Sequence, residues 1–136
     1  MNIKNAERLK NAIIANANAL NMYTWACTNK FSPCGTVGCI AGFCDWLMAV
    51  DGSEDTLFKA DGSMRDHKSN EHFESTATSN AIKFLGIGLK GATKLFFVDE
   101  WPENFAYAYE EHYLYDDIKA AKVVCDRIDY FIENGE

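Results

Sequence analysis

The chain has 136 residues, a mass of 15.3 kDa and a net charge of −7 at pH 7. That length suits one domain, whose folded surface of about 7,100 Å² against about 22,000 Å² for the extended chain allows a real core without disulfide or metal staples. The acidic balance excludes a non-specific nucleic-acid binder, which needs a basic footprint, and no apolar run reaches membrane-spanning length.

The pattern predicts a first helix over about residues 2–21, where Ala6, Leu9, Ile13, Ala17 and Leu20 recur at three- and four-residue steps. Asn16, Asn18 and Asn21 lower its propensity, so packing must hold it. A turn region over 22–35 carries Trp25, Phe31 and Pro33. A second helix is expected to begin near Thr36 and to bury Val37, Ile40, Ala41, Cys44, Leu47 and Met48, a face broad enough for a central helix. On such a helix Gly38 and Gly42 share one side and admit a close neighbour. Residues 51–75 are polar and aperiodic and read as a long loop, in which Thr56–Lys59 before the Asp61-Gly62 turn suits one arm of a short β-hairpin.

A third helix is predicted over about 75–85, stopped by Gly86, with Ala77, Ala81, Phe84 and Leu85 as its stripe. A short fourth follows through Leu89, Ala92, Leu95 and Phe96. Pro102 suits the first turn of a fifth, on which Trp101, Phe105, Tyr109 and Tyr113 share a face. Asp116 or Asp117 can cap the last helix; Ala121, Val124, Cys125, Ile128, Phe131 and Ile132 form its core stripe, and Gly135 ends it. The expected fold is all-α, a single helical domain over 1–136 with five or six helices, the second and last of them central.

Five cysteines, Cys27, Cys34, Cys39, Cys44 and Cys125, make an odd count with no apolar signal segment, so reduced and buried thiols in a cytosol are expected. A five-residue step turns a helix by about 140°, so Cys39 and Cys44 would not face one ion, and no metal is expected. A Cys34–Cys39 disulfide is geometrically open at a turn, but an unremarkable thiol pair fits better. Asp51, Ser53 and Asp55 open like a calcium loop, yet Thr56 and Gly62 stand where glycine and glutamate are required. Arg65, Asp66, His67, His72 and Glu74 could do acid–base work, as any polar loop could. No catalytic residue and no cofactor is assigned.

Two segments carry more content. Gly35, Thr36, Val37 and Gly38 would offer backbone N–H groups to an anion at a helix start, or would simply cap and pack it. The Gly-Lys-Ser/Thr ending of a nucleotide-triphosphate loop is missing. From Asp99 to Asp117 there are seven acids, no Lys or Arg, and four of the six tyrosines. Tyrosine and tryptophan favour interfaces and stacking walls, although such a helix could equally bury its aromatic side and solvate its acids.

Cys34-Gly35-Thr36-Val37-Gly38-Cys39-Ile40-Ala41-Gly42 resembles a Cys-Gly-Thr-x-x-Cys-Ile-Ala-Gly signature of small uncharacterised proteins of tailed bacteriophages and their bacterial hosts. Ala81…Leu85-Gly86, Leu95-Phe96, Trp101-Pro102 and Arg127–Ile132 before Gly135 resemble the same family in order, and only 51–75 falls outside the match. The resemblance implies a phage accessory protein of the host cytosol and brings no catalytic residue with it. By analogy, such a protein counters host defence by sequestering a small phosphorylated, cyclic-nucleotide-like signal. Gly35, Thr36, Val37 and Gly38 would then hold phosphate, and Trp101, Tyr107 or Tyr109 would stack the base, with Lys30, Lys90 or Lys94 needed nearby against the net negative charge. The alternative is a protein-binding module that uses the acidic aromatic face of 99–117 on a host protein. A hydrolase built on the 65–74 loop ranks third.

Overall fold

The computed structural model describes residues 1–23, 26–28, 36–65 and 73–136. Among them lie six α-helices and one short antiparallel ribbon: α1 (Ile3–Ala15), β1 (Ala26–Thr28), β2 (Thr36–Gly38), α2 (Ile40–Val50), α3 (Phe73–Leu85), α4 (Leu89–Phe96), α5 (Glu103–His112) and α6 (Asp117–Asn134). The fold is all-α in its mass. One hydrophobic cluster draws side chains from every helix.

Helix α1 starts where Asn2 accepts a hydrogen bond from the Asn5 amide at 3.0 Å, and it buries Ala6, Leu9 and Ile13. It stops at Ala15, short of the predicted end. The backbone N–H and the side-chain amide of Asn16 both reach the Ala12 carbonyl, and asparagine competes with the helix in this way. A single 3₁₀ turn, Ala17–Ala19, follows.

The second helix begins four residues later than the spacing predicts. Thr36 and Val37 pair as a strand with Thr28 and Cys27. Gly38 pairs with Ala26 on one side, and on the other it bridges Leu20 and accepts from the Asn21 amide at 2.8 Å. It therefore lies in an extended segment and shares no helical face with Gly42. Beyond Cys39, α2 is the central rod: eight of its eleven residues are buried.

Helix α2 packs along α3, while α1 and α5 both lie against α6. Gly86 ends α3 at φ +63°, a left-handed conformation that side chains disfavour. Asp116 caps α6 by accepting from the Lys119 amide at 3.0 Å, and Gly135 closes it in the left-handed region. The aromatic stripe of α5 faces inward: Trp101 and Tyr109 are buried, and Phe105 and Tyr113 are half-buried.

Two buried polar side chains organise this core. Asp45 of α2 is fully buried and accepts from the Leu57 and Phe58 amides at 3.0 Å each and from Asn80 Nδ2 of α3 at 2.7 Å. It pins the segment after α2, where Phe58 and Met64 bridge across a tight turn closed by Lys59 N–H to Ser63 O at 2.8 Å. The hairpin arm expected at Thr56–Lys59 is thus present. Arg127 of α6 is also fully buried and donates from Nη2 to the Lys94 carbonyl at 3.0 Å, near the end of α4. Its guanidinium carbon lies 5.7–6.0 Å from the ring centres of Trp101, Phe105, Tyr130 and Phe131.

Candidate functional site

Among the described residues, those singled out for phosphate and base do not meet at a surface. Gly35, with Cys34 and the Cys34–Cys39 pairing, lies outside the described residues, as do His67 and His72 of the hydrolase loop. Thr36 and Val37 are strand backbone, and Gly38 is buried in the ribbon rather than exposed at a helix start. Trp101 and Tyr109 are core side chains with no free face. The Trp101 indole donates to the Leu95 carbonyl at 2.8 Å, and the Tyr109 hydroxyl accepts from the Met22 amide at 2.8 Å. Of the three aromatics only Tyr107 is open, at 65% exposure. Arg65 is committed to the hairpin segment, donating to Thr56 Oγ1 at 3.3 Å and to the Ser53 carbonyl at 3.2 Å. Among the described residues no cluster of three or more His, Cys, Asp or Glu is placed to hold a metal ion.

The outer side of α5 is a different matter. Tyr107, Leu114, Tyr115 and Ile118 are all strongly exposed, Tyr115 at 85%. Glu110 and Glu111 lie three and four residues after Tyr107, and four and three before Leu114, so all four share one side of α5 and the turn that continues it. Asp99, Glu100, Glu103, Glu110, Glu111 and Asp117 of the same stretch of chain are exposed as well. Apolar side chains are thus set among carboxylates, and the first cations beyond them are Lys119 and Lys122.

A cleft of about 160 Å³ adjoins this surface. Buried Met22, Cys39, Phe96 and Val98 line it, together with the more exposed Tyr23, Phe97 and Asp99. Tyr23 joins the cleft to α5: its ring packs 5.0 Å from that of Tyr113 and 5.8 Å from that of Tyr109, and its hydroxyl donates to Glu110 at 3.2 Å. Burial pushes the Tyr23 phenol up to about 12, and the negative charges of Glu110 and Asp99 add to the shift. Lys90 and Lys94 are not part of the cleft, and Lys94 instead pairs with Glu136 at 3.1 Å.

Among the described residues, Cys39 is the one signature residue that reaches the cleft. Burial raises its thiol to about 11, although the Ala41 and Gly42 amides at the start of α2 pull the other way. Those first-turn donors therefore face sulfur rather than an open anion seat. Cys125 is likewise raised by burial to about 11. Both thiols are protonated at neutral pH, which does not suit a nucleophile.

An alkaline loss of stability follows from these shifts. A thiol whose folded pKa is raised above its unfolded value binds more protons in the folded state between the two, so stability is complete below the unfolded value and falls as pH rises towards the folded one. With shifts from 9.0 to about 11, Cys39 and Cys125 should together cost about 3 kcal/mol by about pH 10. Burial also raises the Cys44 thiol well above 9.0, so urea titrations under reducing conditions should show at least this drop between about pH 8 and pH 10, and Cys39→Ala should flatten the curve by about a third. An unchanged midpoint across that range would refute the assignment.

Compared with known proteins, the chain matches no family model, no curated protein and no solved structure.

Sequence reasoning passed over Tyr23 and Phe97 and counted Asp99 only among the acids of 99–117, because packing alone brings Tyr23 to the 96–99 segment. A signal for Asp45 was present: it is the lone acid inside the apolar run from Ile40 to Val50.

Proposed function

We propose that the chain is a non-enzymatic protein-binding module whose acidic aromatic surface on α5 docks a basic segment of another protein. The observation that supports this reading best is the exposure of Tyr107, Leu114, Tyr115 and Ile118 among six exposed acids of the 99–117 segment. Exposed tyrosine with neighbouring aliphatic groups supplies contact area at low entropic cost, and the acids select the sign of the partner. Charge argues against a second copy as the occupant, since a two-fold contact would set this negative patch against itself. The phage resemblance suggests the setting, a host bacterial cytosol in which such a module would inhibit or redirect a host protein. A phosphorylated signal has less support, because the proposed stacking residues Trp101 and Tyr109 are core and the cleft carries a carboxylate.

Selection of displayed random peptides on the immobilised protein tests the reading. Enriched sequences should be rich in Lys or Arg with at least one large apolar residue. Their affinity should fall roughly tenfold or more in the Tyr107→Ala, Leu114→Ala double variant, and should fall steeply between about 50 and about 300 mM salt. Both side chains are exposed, so the variant should stay within about 0.5 kcal/mol of the parent in stability. Neutral or acidic winners, or affinities indifferent to both substitutions, would reject a basic partner on α5.

A further inference from the structure

We propose that the cleft bounded by Tyr23, Phe97 and Asp99 is a receptor for a single arginine side chain of the docked partner. This deepens the α5 docking reading and rests on it.

Size points to one side chain. At about 160 Å³ the cleft matches a cavity of about 150 Å³ known to take one benzene. It is only about half of the roughly 300 Å³ at which small-molecule sites begin, so a nucleotide-sized ligand would not be enclosed.

Chemistry points to a cation on an apolar stem. Met22, Cys39, Phe96 and Val98 offer apolar surface, and the Cys39 thiol is neutral at pH 7. Among the described residues Asp99 is the one charged residue of the lining, and it makes no ion pair with any of them. Behind Tyr23, Glu110 adds a second negative charge. No lysine or arginine lines the cleft among the described residues. A long side chain that lays its methylenes on apolar walls and keeps its charged head at the mouth fits this arrangement.

The aromatic residues and the carboxylate favour arginine over lysine. A guanidinium is planar, stacks on an aromatic face such as that of half-exposed Tyr23, and pairs with a carboxylate through two parallel hydrogen bonds. An ammonium is more strongly hydrated and gains less from the rings. Continuity supplies the location: the hydroxyl of Tyr23, whose ring bounds the cleft, donates to Glu110, an exposed acid on the flank of the α5 surface, so a basic segment lying on α5 passes close to the cleft.

The test uses the intact chain, isotope-labelled for NMR, and three short peptides of identical sequence carrying arginine, lysine or citrulline at the centre. The arginine peptide is expected to shift the amide signals of Met22, Tyr23 and Phe96 to Asp99. Citrulline, which keeps the shape and loses the charge, should bind at least about tenfold more weakly, and lysine should fall between. Asp99→Asn should weaken the arginine peptide roughly fivefold or more without altering the circular dichroism spectrum. Equal binding of citrulline, equal binding of lysine, or indifference to Asp99→Asn would each overturn the assignment. So would peptides that bind and shift Tyr107 and Leu114 while leaving the cleft signals still, a result that would spare the α5 surface. Loss of the α5 contact itself would show separately, as indifference of peptide affinity to the Tyr107→Ala, Leu114→Ala variant.

Discussion

Replacing Asp45 with alanine should lower stability by about 4 kcal/mol, because it strips the partner from three buried donors at once. The Leu57 amide, the Phe58 amide and the Asn80 side chain all aim at its two carboxylate oxygens. Each buried donor left unpaired costs about 1–3 kcal/mol, while a made hydrogen bond of this kind contributes less than it costs to lose. For a domain of this size the melting temperature should fall by roughly 10–20 °C. Asp45→Asn is the sharper probe. It is nearly isosteric, yet it turns one acceptor into a donor that must face an N–H, so a loss of about 2–3 kcal/mol is expected despite conserved volume. Calorimetry on the two variants checks both. An asparagine variant as stable as the parent would mean that the carboxylate is not what holds the hairpin segment to α2 and α3.

Arg127 poses the opposite problem, that of a buried charge with too few partners. Among the described residues its Nε and Nη1 have no hydrogen-bond acceptor, and burial pulls its pKa down. Four aromatic rings surround it, but at 5.7–6.0 Å each is near the outer limit of about 6 Å for a useful cation–π contact. Two orphaned donors, at about 1–3 kcal/mol each, offset most of what the rings and the Lys94 carbonyl return. Arg127→Ala should therefore cost about 3–5 kcal/mol, chiefly through the cavity it opens. Arg127→Met, which fills similar space with no charge, should stay within about 1.5 kcal/mol of the parent. Urea denaturation distinguishes the cases: if methionine is as damaging as alanine, the guanidinium charge itself stabilises the core.

Helix existence was largely legible because it depends on local periodicity. The Ala77, Ala81, Phe84, Leu85 stripe, the Leu89 to Phe96 segment and the Asp116 cap with Gly135 stop each appear where apolar spacing and capping chemistry place them. Boundaries failed where short-range competition or pairing intervened. Asn16 folded back on Ala12 and ended α1 early. Thr36 and Val37, both β-branched, entered a ribbon with a partner about ten residues upstream, and α2 lost its expected first turn.

Length, charge and periodicity by themselves determined an acidic helical chain and placed Trp101, Phe105, Tyr109 and Tyr113 on one face of a helix, while leaving open whether that face is core or contact surface. Those properties are set by residue type and by the 3.6-residue helical period, which neighbouring residues share. Only the tertiary structure decided which aromatics are available. Trp101 and Tyr109 look like Tyr107 in sequence, yet the first two are core and the third is open, because α5 rests one side on α6. The tertiary structure alone also assembled the cleft, bringing Tyr23 and Cys39 to the 96–99 segment across more than fifty residues of chain, and it set Asp45 against Asn80 in the core. Such contacts depend on how helices pack, and no local pattern in the chain encodes them.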